Sequence, residues 1–306
     1  MELTVAICTW NRAALLTKTL ENMLNLKSDS SFSWELLIVN NNCTDGTDTV
    51  IQSFVDRLPI KRIFEPKPGL SNARNAAVRN AGGDYIIWTD DDVLVDSNWL
   101  LAYVEAFHKY PDAVVFGGPV VPWFEGVPPE WITLCWSVVS IAYAVRDLGE
   151  QEITLDPQTG KIPFGANFAI RAREQQKYLY DPNFGLKAGE IVLGEETHII
   201  KSIIDAGGAG FWVPSAKVKH WLPKERQTIE YIKKYSKGVG RTHARIQKNS
   251  VRPFLFGVPR WFIALFIKRS FLFLTMSLFG STEKKMASMI AFYRSIGGLS
   301  EYMSSR

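Results

Sequence analysis

The order of hydrophobic and polar positions switches period repeatedly through the first third of the chain. Thr4 to Cys8 alternates as a strand, with Leu3, Val5 and Ile7 on one side. Arg12 to Leu26 then carries Leu15, Leu16, Leu20 and Leu24 at helical spacing, and Trp34 to Val39 is an apolar strand. Thr44-Asp45-Gly46-Thr47 turns into a helix through Val50, Ile51, Phe54 and Val55, and Ile60 to Phe64 is a short strand. After the loop Pro66-Lys67-Pro68-Gly69, the spacing predicts a helix over Ser71 to Ala81, stopped by Gly82-Gly83, and a fourth strand over Tyr85 to Thr89. Strands that alternate with helices in this way imply an α/β fold. Its central sheet is mostly parallel, covered on both faces, and collects ligands beyond the carboxyl ends of its strands.

Past Trp99 the pattern loosens. A helix through Leu100, Val104 and Phe107 ends near Pro111, Val114 to Phe116 is a strand, and Pro119 to Pro163 is irregular. Phe164 to Arg171 follows, and Gly194-Glu195-Glu196-Thr197 opens a helix through Ile199, Ile200 and Ile203. The expected division is one domain over 1–240, with halves 1–118 and 119–240, and a basic, apolar helical region over 241–306.

Composition narrows the class. With 46% hydrophobic and 22% charged residues the chain has the makings of a buried core, which excludes disorder. Cys8, Cys43 and Cys135 offer neither even pairing nor C-x-x-C spacing, so neither a disulfide framework nor a zinc site is expected, and a reducing compartment fits. The first strand begins almost at once, leaving no room for a signal segment, which places the folded part in the cytoplasm. A net charge of +4 hides an asymmetry: residues 217–306 hold 18 Lys and Arg against 4 Asp and Glu, and residues 1–216 hold 17 against 27. The basic part also contains the most apolar stretch, Phe254 to Phe279, a combination suited to an anionic membrane surface. No nucleic-acid reading motif accompanies the charge.

The chemistry concentrates at strand ends. Asp90, Asp91 and Asp92 close the apolar run Tyr85 to Thr89, and adjacent carboxylates repel one another unless a cation or strong donors hold them. Such a cluster offers oxygen ligands to a hard divalent ion; its bland alternative is a solvated turn that caps a helix. The topology brings Thr9-Trp10-Asn11-Arg12 and Asn40-Asn41-Asn42 to the same rim.

Taken together, Val5-Ala6-Ile7-Cys8-Thr9-Trp10-Asn11-Arg12, Thr44-Asp45-Gly46-Thr47, Gly69-Leu70-Ser71-Asn72-Ala73-Arg74-Asn75, Asp90-Asp91-Asp92 and Gly194-Glu195-Glu196 resemble the family 2 glycosyltransferases of the GT-A fold. Within that family the chain looks most like the bacterial branch that includes the hormogonium polysaccharide glycosyltransferases. The resemblance implies inverting transfer of a sugar from a nucleotide-sugar donor. It assigns Asp92 of the D-x-D motif to Mn2+ or Mg2+, and Asp90 to ribose or the metal shell. Asp91 is a donor-side residue or a structural one. His220 stands where many such enzymes place a further metal ligand. Asn40 and Asn41 replace the commoner pair of Asp, and because Asn both donates and accepts, uracil and guanine both remain open, with a UDP-sugar put first; the alternative is that Asn40-Asn41-Asn42 form an Asx turn. Arg74 and Arg12 read as diphosphate contacts or as salt-bridge partners, and Thr9 and Asn11 accompany them. Glu195-Glu196 resembles the acidic pair that holds the base, with Glu196 as base and Glu195 as its orienting partner; the alternative is a pair of helix-start glutamates. Asn167 reads as an acceptor-side residue or a backbone clamp.

The processive-synthase signature Gln-x-x-Arg-Trp is missing, so single additions are expected. Pro259, Arg260, Lys268 and Arg269 interrupt the apolar tail, which points to an interfacial segment; a core packing role and an oligomer interface are the alternatives. The acceptor is then a glycan or a lipid-linked one, at the inner face of the plasma membrane. A dehydrogenase would need G-x-G-x-x-G after the first strand, and a nucleotidyltransferase a Gly-rich loop there; neither is present. A glycan-binding scaffold on a decayed transferase is the rival from another class.

Overall fold

The computed structural model describes residues 1–182, 194–248, 252 and 254–304. Of these, 1–123, 144–182 and 195–221 form one compact unit, and 124–143, 194 and 222–304 a second. The division departs from the expected boundary at 240, because the second unit takes in the whole helix that begins at Ile229 together with the segment after Trp123.

The first unit opens with the expected alternation: β1 (Glu2–Thr9), α1 (Ala13–Met23), β2 (Ser33–Asn40), α2 (Thr47–Gln52), β3 (Ile60–Phe64), α3 (Leu70–Asn80) and β4 (Tyr85–Asp90). The short β5 (Val93–Val95), α4 (Trp99–Lys109), β6 (Val115–Gly117) and β7 (Val120–Phe124) follow. After α5 (Glu130–Leu134) and α6 (Trp136–Val139) come β8 (Phe168–Arg171), α7 (Ala172–Gln175), α8 (Glu195–Asp205), β9 (Gly210–Trp212) and β10 (Val218–Leu222). The main sheet has the order β3-β2-β1-β4-β8-β6-β9 and a smaller one the order β5-β10-β7. β1 pairs in parallel with β2 and β4, and β8 runs antiparallel to both β4 and β6.

Side-chain alternation explains why helices cover both faces. Leu3, Val5 and Ile7 of β1, Leu36 and Ile38 of β2 and Ile87 of β4 join Leu16 and Leu20 of α1 and Tyr103 and Phe107 of α4 in one core. Ala6, Leu37, Val39, Ile86 and Trp88 point the other way, against Ala73 and Ala77 of α3 and Ile199, Ile200 and Ile203 of α8. The parallel register sets Thr9 opposite Asn40 and Cys8 opposite Asp90, so the three polar strand ends share one rim. Period-two reading missed β5 and β9, whose three residues each carry too little alternation to stand out, and it also missed the five-residue β7 and β10.

Asn167 holds the rim from inside. It is fully buried, its Oδ1 accepts from Trp99 Nε1 (2.9 Å) and the Tyr103 hydroxyl (2.8 Å), and its Nδ2 donates to the carbonyls of Pro119 (3.0 Å) and Ala216 (2.6 Å). The acceptor-side reading of Asn167 is therefore corrected: its amide is saturated and closed to any ligand, and it ties α4 to the segments before β7 and β10.

In the second unit α9 (Ile229–Gln247), α10 (Arg260–Phe279) and α11 (Thr282–Met303) dominate. Thr228 caps α9 and Ser281 caps α11, each hydroxyl accepting from a first-turn N–H. Helices α9 and α11 cross at glycines. A Cβ on Gly240 would lie 1.9 Å from the Arg294 carbonyl, and one on Gly297 would lie 1.9 Å from that of Lys237. The charged residues expected within the apolar tail fall on one continuous helix. Pro259 precedes α10 at its N-cap, and the helix runs unbroken through Lys268 and Arg269. Its apolar side chains surround the axis, and among them only Phe262 is buried.

Replacing Asn167 with Ala would leave two buried donors and two carbonyls without their partner. The loss expected in urea unfolding of the full chain is on the order of 3 kcal/mol, and Asn167→Asp should restore no more than part of it, since a carboxylate would face two carbonyl oxygens. Gly297→Ala should lower stability by roughly 1–3 kcal/mol through the helix crossing, read in the same measurement.

Candidate active site

Asp90 ends β4, and Asp91 and Asp92 turn the chain into β5. Basic side chains from three different elements meet these carboxylates. Arg12, the N-cap residue of α1, places Nη1 at 2.8 Å from Asp91 and 3.1 Å from Asp92. Antiparallel pairing of β10 with β5 sets His220 opposite Val93, which brings His220 Nε2 to 3.4 Å from Asp92 Oδ1. The Trp221 N–H also donates to the Asp92 carbonyl at 2.9 Å. Asp91 is enclosed, and its carbonyl accepts from Thr19 Oγ1. Burial pushes the Asp91 carboxyl up to about 6 against the pull of Arg12, with Asp92 adding repulsion. These contacts realise the salt-bridge reading of Arg12 through Nη1 alone, and 36% of the Arg12 side chain stays exposed.

Arg74 projects from α3 with only 4% of its side chain exposed. Its guanidinium reaches Glu195 at 3.1 Å, Glu196 at 3.8 Å and Asp90 at 3.9 Å, between the rings of Trp88, Phe168 and Tyr180 at 5.4–5.9 Å. Burial alone would favour losing its proton, but the carboxylates, Glu195 first, outweigh burial and keep it a cation. Partial burial raises Asp90, 35% of whose side chain stays exposed, with Arg74 opposing and Asp92 reinforcing. Glu195 rises to about 7, through burial and then the Glu196 carboxylate, again against Arg74. Glu195 is buried, whereas Glu196 keeps 16% of its side chain exposed at the start of α8.

The asparagines at the end of β2 do something else. Asn40 Nδ2 donates to Asp48 and its Oδ1 accepts from the Cys43 N–H, while Asn41 Nδ2 donates to the carbonyls of Glu65 and Lys67 and its Oδ1 accepts from the Gly69 N–H. Both are buried. Their reading as base contacts is corrected: these amides shape the loops after β2 and β3. Gly69 adopts φ 119°, a conformation glycine takes without strain, where α3 begins. Asn11, at φ 52°, accepts from the Thr44 N–H, and Thr9 is buried with its carbonyl taking the Asn41 N–H.

Thus Asp90, Asp92, His220, Arg74, Glu195 and Glu196 converge, and Asn167 does not. Among the described residues no three His, Cys, Asp or Glu side chains form a ready cation cage, and Asp92 with His220 is the nearest approach to one. Two contributors escaped the sequence reading. A Cβ on Gly165 would lie 2.8 Å from Arg74 Nη2 and 3.4 Å from Glu196 Cδ, so glycine keeps that space open for the acid pair. The Tyr180 backbone accepts from Asn75 Nδ2 and donates to Asn75 Oδ1, and its ring walls in Arg74. Gly165 stood within the quoted Phe164 to Arg171 segment and carried a signal, whereas Tyr180 carried none.

Comparisons with known proteins bear on the fold and the family. Among curated relatives, the succinoglycan biosynthesis protein ExoM of Rhizobium meliloti (strain 1021) is 23% identical over 80% of this chain and 75% of its own. The glucosyl-dolichyl phosphate glucuronosyltransferase of Haloferax volcanii is 24% identical over 76% and 73%. Among solved structures, the mannosyltransferase PcManGT from Pyrobaculum calidifontis, in complex with GDP-Man and Mn2+, superposes with a TM-score of 0.65 at 16% identity, covering 99% of this chain and 88% of that one. TarS 1–349 of S. aureus, in complex with UDP, reaches 0.55 at 14%, covering 98% and 91%. The family model for glycosyl transferase family 2 matches residues 4–171, which span β1 through β8 and include the Asp90–Asp92 turn and Arg74. The chain belongs to that family and is a glycosyltransferase.

Proposed function

We propose that this enzyme transfers a single sugar, with inversion, from a UDP-sugar to a glycan or lipid-linked acceptor of bacterial polysaccharide synthesis, at the cytoplasmic face of the plasma membrane. The observation that carries the reading is the position of Arg74, whose one guanidinium lies within 4 Å of both Asp90 and the acid pair Glu195 and Glu196. Donor-side and acceptor-side carboxylates therefore flank one point, as a displacement at an anomeric carbon requires.

Glu196, the more exposed of the pair, takes the proton of the acceptor hydroxyl, and the freed oxygen attacks the anomeric carbon opposite the departing nucleoside diphosphate. Attack from the far side inverts the configuration. Glu195, buried against Arg74, orients Glu196 and holds the pair's charge in check. The leaving group gathers negative charge as it departs. Asp92, with His220 and Asp90, would hold a divalent Mn2+ or Mg2+ through oxygen and imidazole donors, and such an ion would supply positive charge to the leaving group. Since Asn40 and Asn41 are committed to loops, discrimination between UDP and GDP falls to other groups on this rim.

Thermal stabilisation of the purified protein by UDP, GDP and their sugars, with and without Mn2+, tests the donor. UDP with Mn2+ should stabilise most; no response to any nucleotide would sink the reading. Asp92→Asn should weaken Mn2+-dependent donor binding roughly 10–100-fold. Glu196→Gln should leave donor binding intact and lower transfer by about a hundredfold or more. The ascending limb of the pH–rate profile should report loss of the proton that the acid pair shares. In Glu195→Gln the neighbouring negative charge is gone, so that limb should move to lower pH; an unmoved limb would show that Glu195 does not act on the base.

A further inference from the structure

Lys233, Lys237 and Arg241 recur at four-residue intervals along α9 and share one face. With Lys234 and Glu230 of the same helix, and with Tyr293 of α11 opposite, they line a cavity of about 430 Å³. The ammonium groups of Lys237 and Lys233 stand 5.4 and 5.8 Å from the Tyr293 ring. Glu230 is the one carboxylate in this lining; it lies 3.6 Å from Lys233 and is 79% exposed, so its offset is weak. Among the described residues, Lys234, Lys237 and Arg241 have no carboxylate within ion-pair distance. On a plain solvated helix face such charges would spread apart. Here the crossing at Gly240 and Gly297 fixes the two backbones, and Tyr293, one turn before Gly297, holds the cations around a common space.

What lies beside that space decides the kind of anion. Phe292, next to Tyr293, stacks on Phe273 at 4.9 Å and meets Phe266 at 6.0 Å, both on α10. Helix α10 is 20 residues long, about 30 Å. It is also the one helix among the described residues long and apolar enough to cross a membrane, and only 6% of its most apolar window is buried. Phe271, Leu274, Leu278 and Phe279 are 63–86% exposed. Nucleic acid would match the cations but leave this apolar surface in water. A phospholipid surface satisfies both, with phosphates for the cavity and acyl chains for α10.

We infer that the cavity between α9 and α11 binds the phosphate of anionic phospholipid head groups while α10 lies among the neighbouring acyl chains. The inference deepens the membrane placement proposed above and assigns its contact residues. Flotation of the full-length protein tests it, with vesicles of phosphatidylcholine alone and of phosphatidylcholine with phosphatidylglycerol. The wild type should float strongly only with phosphatidylglycerol. Lys234→Gln/Lys237→Gln/Arg241→Gln should lose roughly fivefold in partition per cation, about a hundredfold together. Lys284→Gln/Lys285→Gln, which removes exposed charges outside the cavity, should stay within about twofold. Phe271→Ser/Leu278→Ser should weaken binding to both kinds of vesicle. Equal losses in the cavity variant and the Lys284/Lys285 control would overturn the phosphate site, as would an unaffected cavity variant. A lipid-free dimer that the Phe271/Leu278 variant disperses, without vesicle binding by the wild type, would assign the face to a second copy. Mn2+-dependent donor hydrolysis should be unchanged in the cavity variant. If the wild type hydrolyses no donor, the proposed transfer fails while the flotation result stands.

Discussion

Three adjacent carboxylates at the end of one strand can stay charged together only where positive charge reaches them, and that requirement organises the first unit. Arg12 comes from the start of α1, Arg74 from α3 and His220 from β10, and each meets a different part of the Asp90–Asp92 turn. Burial raises Asp90 and Asp91 towards protonation, and the cations oppose it. The geometry of the site is thus an electrostatic solution assembled from long-range contacts. It also explains why some charged residues on the rim are structural although their types suit a ligand.

Arg74 connects the two halves of the chemistry. A guanidinium buried among Trp88, Phe168 and Tyr180 is tolerable only with anionic partners, and it finds them in Asp90 on one side and the α8 glutamates on the other. Gly165 supplies the remaining condition, an absence of side chain where the guanidinium and Glu196 meet.

Much of this was legible in the chain. The alternation that predicts β1 to β4 is a periodic signal and the strand ends followed from topology, so the Asp90–Asp92 turn was placed from residues, while Arg74 and the acid pair were named through the resemblance to family 2 glycosyltransferases. What failed is instructive. Asn40, Asn41 and Asn167 have the right chemistry for ligands, but their amides are claimed by backbone groups or by Trp99 and Tyr103, and no local pattern reports which partner an amide will take. In the apolar tail the charges interrupt the uncharged run as read, while Lys and Arg, good helix formers, leave α10 continuous. The close crossing of α9 and α11 depends on single glycines set far apart in sequence, which periodicity does not couple.

The amide of Asn41 has one more implication. It gives two hydrogens to the carbonyls of Glu65 and Lys67 and receives one from Gly69, so a single side chain closes the turn that launches α3 and, with it, Arg74. An aspartate there would confront two carbonyl oxygens with negative charge and no hydrogen to offer. Drift toward the two-aspartate version of this rim therefore cannot proceed by a lone codon change; the turn itself would have to be rebuilt in step.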